Sequence, residues 1–292
     1  MSTEQDLHEG CHALVPGIPA SFGYVPTLSA GVVFCVLFGL STVVHTFQLL
    51  RFKAWWCTVF VVGGLVEIIG WAGRIWGSQC PYNSTAFLIQ ICTLLIAPVF
   101  ITAGVYIILG RLIQDFGREC SILRPKLYLW IFCTCDVVSL LVQAAGGAMV
   151  SAAVNKDNGN TDPGVHTIVA GVIFQLVSMS VFVGFAIDFL VRSIRKGMLK
   201  SQKQSAIPIL SAMTVSLLCI FVRSIYRAIE FFEGWSGYLT THEGYFIALD
   251  GAMMVISLAV FNLIHPVTFS PQSSARGTRE WIDITWRTEA RK

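Results

Sequence analysis

Apolar residues gather in seven long stretches, at about 25–50, 54–77, 87–112, 127–152, 165–190, 207–232 and 244–266, with short polar connections between them. Each stretch is long enough to cross a hydrocarbon layer of roughly 30 Å at about 1.5 Å per helical residue. The pattern predicts an all-α, polytopic seven-transmembrane helix bundle. It divides the chain into a polar N-terminal tail (1–24), a membrane domain (25–266) and a basic tail (267–292).

The polar connections sort their basic residues to one side. Arg51 and Lys53 follow the first stretch, and Arg111, Arg118, Arg124 and Lys126 follow the third. Arg192, Arg195, Lys196, Lys200 and Lys203 follow the fifth, and five more lie after Pro266. The opposite side carries Lys156 alone. The positive-inside rule then predicts an outside N-terminus and a cytosolic C-terminus. Composition fits a membrane protein: hydrophobic residues are 54%, charged residues 13%, and the mean hydropathy is +0.68, where soluble domains carry about a quarter charged residues. The first 25 residues hold Glu4, Asp6 and Glu9 but no Lys or Arg. They lack the basic and apolar regions of a cleavable signal, so the first span is expected to target the chain.

On the predicted outer side, Asn83-Ser84-Thr85 is a glycosylation sequon close to the third span. Cys11 and Cys80 lie on the same side, where the compartment permits a disulfide. The cysteines inside spans read as packing residues. Cys133 and Cys135 fall on different helix faces and make no metal pair. The odd span count and absence of a repeat argue against a duplicated two-halves transporter.

Ionisable side chains inside the bilayer are costly and normally face the bundle interior. Here they are Glu67 and Arg74 (span 2), Asp136 (span 4), Asp188 (span 5), Arg223, Arg227 and Glu230 (span 6) and Asp250 (span 7). Glu67 and Arg74 share one helical face, as do Arg223, Arg227 and Glu230. With Asp250 they form one expected cluster of three acids and three arginines in the middle and outer half of the membrane. Asp136 lies deeper, in a polar stripe with Ser139, Gln143 and Gly147, to which Gln175 and Gln90 add hydrogen-bonding groups. Asp188, four residues from Arg192, reads as a solvated helix-end pair. The structural alternative for the cluster is a set of ion pairs that fixes helix register. Six charges exceed what register needs and favour a polar cavity.

Gly70, Gly73 and Gly77, and the small-residue run 144–148, predict close helix packing. Pro98 predicts a kink and a freed carbonyl in span 3. The sequence has no phosphate-binding loop, no HExxH and no zinc-ligand set among its six histidines, and span 7 has no lysine. No enzyme activity, cofactor, metal or nucleic-acid partner is expected.

The polar residues fall into ordered motifs: VEIIGWAGR in span 2, APVFITAGVYIILGR in span 3, DVVSLLVQAAGG in span 4 and GVIFQ in span 5. RSIYRAIEFFEGWSG ends span 6, and EGYFIALD opens span 7, which His265-Pro266 closes. Over about 24–266 the chain resembles the fungal lipid-translocating exporter family, the RTA-like proteins named for resistance to aminocholesterol. Trp71 departs from the tyrosine usual in the family. The resemblance implies a seven-helix protein of fungal plasma membrane or endomembranes. It further implies export or flipping of sphingoid long-chain bases, phospholipids or toxic sterol-like amphiphiles, or in one branch porphyrin transport.

The expected mechanism is translocation of an amphipathic lipid whose headgroup crosses a polar groove. Asp136 and Gln143 would form its inner part, and Glu67, Arg74, Arg223, Arg227, Glu230 and Asp250 its outer part. Glu67 or Asp250 would hold an amine, and Arg223 or Arg227 a phosphate. Protonation of Asp136 or Asp250 is the candidate coupling step. The basic loop 192–203 would meet anionic inner-leaflet lipid or simply carry ordinary positive-inside charge. The rival readings are a lipid or sterol sensor without transport, and a scaffold.

Overall fold

A computed structural model describes residues 10–12, 14, 20, 22–116, 121–154, 160–196, 203–234 and 237–266. The acidic residues of the N-terminal tail, Arg118, Cys120, Lys156, Lys200 and the basic tail 267–292 lie outside the described residues. Seven helices meet the length and hydropathy of membrane spans. They are α1 (Leu28–Phe52), α2 (Thr58–Gln79, entered through a 3-10 turn at Trp55–Cys57), α3 (Ser84–Phe116), α4 (Pro125–Val154), α5 (Asp162–Arg195), α6 (Lys203–Glu233) and α7 (Glu243–Leu263). The described residues contain no strand. The chain is an integral membrane protein with an all-α fold.

Consecutive helices pack side by side, and α7 closes the bundle against both α6 and α1. The central helix is α3, which touches α2, α4, α5, α6 and α7. Its core residues Leu94, Ala97, Ile101, Val105 and Leu109 are fully buried. Outward residues are apolar as well, including Phe47, Trp130, Leu141, Phe232 and Leu263. An apolar exterior suits a solvent of acyl chains.

Small residues set the closest approaches. A Cβ on Gly73 would stand 3.1 Å from the Gln90 amide and 3.2 Å from the Ala86 carbonyl, so α2 and α3 meet backbone to backbone there. In the run 144–148 it is Gly146 that meets α5, at Gly164 and Ile168, whereas Gly147 has open space beside it. The Gly147 end of the predicted stripe is therefore not a packed or polar contact. Trp71 is fully buried, stacked 4.2 Å from Phe34 and seated against Phe246 and Gly251. Its indole fills core volume between α1, α2 and α7.

Candidate functional site

The ionised side chains of α2, α6 and α7 turn inward and meet. Asp250 is the hub. Arg227 grips it bidentately, with Nε 2.8 Å from Oδ1 and Nη2 3.0 Å from Oδ2. Arg223 Nε lies 2.8 Å from the same Oδ1. Arg227 also reaches back one turn to Glu230 (3.0 Å), whose other oxygen accepts from the Tyr226 hydroxyl at 3.1 Å. Residues Phe246–Ala252 of α7 are wound as a π-helix, an irregularity that often marks functional sites. Asp250 is therefore presented from a locally widened turn.

Pro98 has no N–H to give the carbonyl of Leu94, four residues earlier. Arg223 Nη2 donates to that carbonyl. One guanidinium thus forms an ion pair with a carboxylate on α7 and satisfies a freed backbone acceptor on α3. The helix α3 runs through Pro98 as one element.

Closer to the disulfide end, Arg74 forms a second group. Its Nη2 lies 2.8 Å from Glu243 and 2.7 Å from the Tyr24 hydroxyl, and Nη1 lies 3.4 Å from Gln90. Glu243 in turn accepts from the Thr27 amide (2.8 Å) and hydroxyl (2.5 Å). Burial pushes the Tyr24 phenol upward, so it serves as a neutral hydroxyl beside the guanidinium. The two groups share Phe246: the Arg74 guanidinium is 4.3 Å and the Arg227 guanidinium 5.2 Å from its ring centroid. Glu243, Tyr24, Thr27 and Phe246 were not among the expected site residues. Glu243 carried a signal, an acid in the first turn of α7 at the depth of Arg74; Tyr24 carried none.

Glu67 is 1% exposed and makes none of these ion pairs. Its Oε1 is buried without a hydrogen-bond partner, next to the charges of Arg223, Arg227 and Asp250.

The α4 residues divide between two neighbours. Asp136 faces α3, accepting from Tyr106 (3.0 Å) and Thr102 (3.3 Å). Gln143 faces α5: its Nε2 donates to Ser139 (2.7 Å) and Gln175 (3.2 Å), and Ser139 donates to the Gly171 carbonyl at 2.8 Å. Asp136 and Gln143 therefore belong to two separate helix-pair contacts instead of one continuous inner path.

A small pocket, about 50 Å³ and open to the exterior, lies at the disulfide end. Its lining mixes polar side chains, Tyr24, Arg74, Gln90, Arg227 and Glu230, with apolar ones, Phe87, Ile91, Val165, Ile168 and Phe231. Ile168 and Phe231 of this lining belong to a second hydrophobic cluster with Val150, Val169 and Val172. Glu67, Asp136, Gln143, Gln175, Arg223 and Asp250 do not line this pocket. Glu230, 12% exposed against 1% for Asp250, is the carboxylate it offers.

Cys11 and Cys80 form a disulfide with Cα atoms 4.7 Å apart. It ties the N-terminal segment to the end of α2, beside the pocket wall made by Phe22 and Tyr24. Asn83 is 9% exposed, with both ends of its amide engaged: Oδ1 accepts from the Ala86 amide (2.9 Å) and Nδ2 donates to the Gly10 carbonyl (3.1 Å). It caps the start of α3, and the nitrogen a glycan would need is in use. Asp188 and Arg192 pair at 2.9 Å as half-exposed neighbours near the other end of α5. No group of three or more potential metal ligands occurs among the described residues.

The family described as RTA1 like protein matches residues 60–273. The chain is 35% identical over 278 residues to a protein named sphingoid long-chain base transporter RSB1 from Saccharomyces cerevisiae (strain Lalvin EC1118 / Prise de mousse), covering 84% of this chain and 72% of that one. It is 28% identical to Protein RTA1 of S. cerevisiae (strain ATCC 204508 / S288c), covering 87% and 90%. It is 31% identical over 206 residues to protoporphyrin uptake protein 1 of the same strain, covering 70% and 66%. No solved structure matches.

Proposed function

The chain belongs to the RTA1-like protein family, and from that premise we propose that it is a membrane transporter moving single-chain cationic amphiphiles of the sphingoid-base type between leaflets. The observation that carries this reading is a pocket lined by both charged and apolar side chains. A protonated amine fits beside Glu230, sphingoid hydroxyls beside Gln90 and Tyr24, and the hydrocarbon chain along Phe87, Ile91, Ile168 and Phe231. Glu230 takes the amine role in preference to Glu67 or Asp250, which do not line the pocket. A phosphate would meet Arg74 or Arg227 in the same lining, so phospholipids remain within the substrate class. The relatives' names describe transport or uptake of amphiphilic molecules, in keeping with a transporter over an enzyme.

The proposed orientation places the disulfide end outside. It rests on the basic residues Arg51, Lys53, Arg124, Lys126, Arg195 and Lys196 at the other end, and on the oxidising compartment a disulfide requires. The proposed location is the plasma membrane, where the basic loops would face anionic inner-leaflet lipid. A second reading, binding and signalling without translocation, draws support from the pocket ending above Asp136 and Gln143. A sphinganine with a photoreactive group in its chain tests occupancy. It should label Ile168 and Phe231 and be displaced by sphinganine but not by a neutral ceramide. Labelling confined to the outer apolar belt, or insensitive to competition, would contradict the site.

A further inference from the structure

The central cluster contains one carboxyl more than it has arginines. Arg74, Arg223 and Arg227 face Glu67, Glu230, Glu243 and Asp250. Three of the four acids have an arginine in contact: Glu243 has Arg74, Asp250 has Arg223 and Arg227, and Glu230 has Arg227. Glu67 has none, and its Oε1 is buried with no donor. Trp71, one helical turn away, brings its indole N–H toward the carboxyl without reaching hydrogen-bond geometry.

The surroundings of Glu67 can be named element by element. On α6 they are Arg223 and Arg227, and on α7 Asp250. On its own helix it is Trp71. On α1, Cys35 donates its thiol to the carbonyl of Ile68, the residue after Glu67. The α3 face opposite presents Leu94 and Thr93 against Gly70, with no charge. With all four acids ionised the enclosed cluster carries one uncompensated negative charge, a state disfavoured in a medium of low polarity. One proton, or one added cation, makes it neutral.

From this geometry we infer that Glu67 is the exchangeable-proton site of the transporter, and that arrival of a cationic headgroup at Glu230 displaces one proton from Glu67. The inference rests on the lipid reading above. The step balances in charge and atoms. In the empty state the Glu67 carboxyl holds the proton and the cluster is neutral. A substrate cation adds one positive charge at Glu230. The O–H bond of Glu67 then breaks, its proton passes to water, and neutrality returns with Glu67 as carboxylate facing Arg223. Loss of the cation reverses the exchange. A chain without a nucleotide site thereby acquires a one-for-one means of drawing on a proton gradient.

Calorimetry on the purified full chain in detergent, in two buffers of different ionisation enthalpy, measures this exchange. The probe is N,N,N-trimethylsphinganine, whose fixed charge cannot itself titrate. Wild type should release about one proton per cation bound, and its affinity should rise by up to about tenfold per pH unit, because binding favours the deprotonated acid. Glu67→Gln, which mimics the protonated acid, should bind more weakly, release no proton and lose the pH dependence. Wild-type binding with no proton release, or a Glu67→Gln protein that still releases one, would overturn the inference while leaving the lipid reading in place. Failure of wild type to bind any sphingoid cation would overturn both. The wild-type measurement alone overturns the inference if no proton is released, even when the variant does not fold.

Discussion

Arg223 donates to the backbone carbonyl of Leu94, the acceptor that Pro98 leaves open one turn later. A carbonyl freed within α3 and a charge on α6 are therefore two halves of one contact. Replacing Arg223 by Met should strand that carbonyl and remove one of the two arginines from Asp250, at a cost on the order of 3 kcal/mol. In a Pro98→Ala background an amide again faces Leu94. The same substitution should then cost about 1 kcal/mol less. Denaturant unfolding of the four proteins checks the coupling, and simple additivity would contradict it.

Arg74 and Glu243 hold the N-terminal segment to α7, because Glu243 also accepts from the Thr27 amide and hydroxyl. Glu243→Gln should weaken a charge-assisted set by roughly 2 kcal/mol. It should also raise amide exchange at Thr27 with little change at Leu94. Hydrogen exchange read by mass spectrometry reports both sites, and equal exchange in variant and wild type would count against the clasp.

The seven spans were legible because the bilayer imposes a length and a hydropathy on each. The helical faces were legible too: Glu67, Arg74, Arg223, Arg227 and Asp250 are all buried, as their spacing implied. Partner choice was not. Residues seven apart, such as Glu67 and Arg74, share a face but sit about 10 Å apart along the axis. Arg74 therefore takes its partner, Glu243, from another helix. The π-helical turn before Met253 depends on packing and left no mark in the periodicity. The α4 stripe looked continuous because spacing fixes a face but not which neighbour each part of that face meets. Asp136 and Gln143 consequently bond to different helices.

The disulfide between Cys11 and Cys80 closes a long stretch of chain, 69 residues in separation, that includes α1 and α2. Cys80→Ser should lower stability by about 2–4 kcal/mol. It should also leave one free thiol, at Cys11, that reacts with an impermeant maleimide on intact cells. Absence of labelling there would contradict the proposed outward orientation.

Asn83 caps α3 through its side-chain oxygen and binds Gly10 through its nitrogen. Asn83→Ala should cost about 1 kcal/mol. Glycosidase treatment should leave the electrophoretic mobility of wild type unchanged. A mobility shift abolished by Asn83→Ala would show that the amide is free for glycan transfer.

Everything proposed about transport converges on Glu230, the pocket's accessible carboxylate. The decisive measurement is the rate at which a fluorescent sphingoid base changes leaflets in liposomes holding the purified protein, compared with its neutral N-acyl derivative. Wild type should speed the base well above empty liposomes and leave the N-acyl form near background, while Glu230→Gln should slow the base at least tenfold, about 1.4 kcal/mol. A wild-type rate equal to that of empty liposomes, or a Glu230→Gln protein as fast as wild type, would contradict the account.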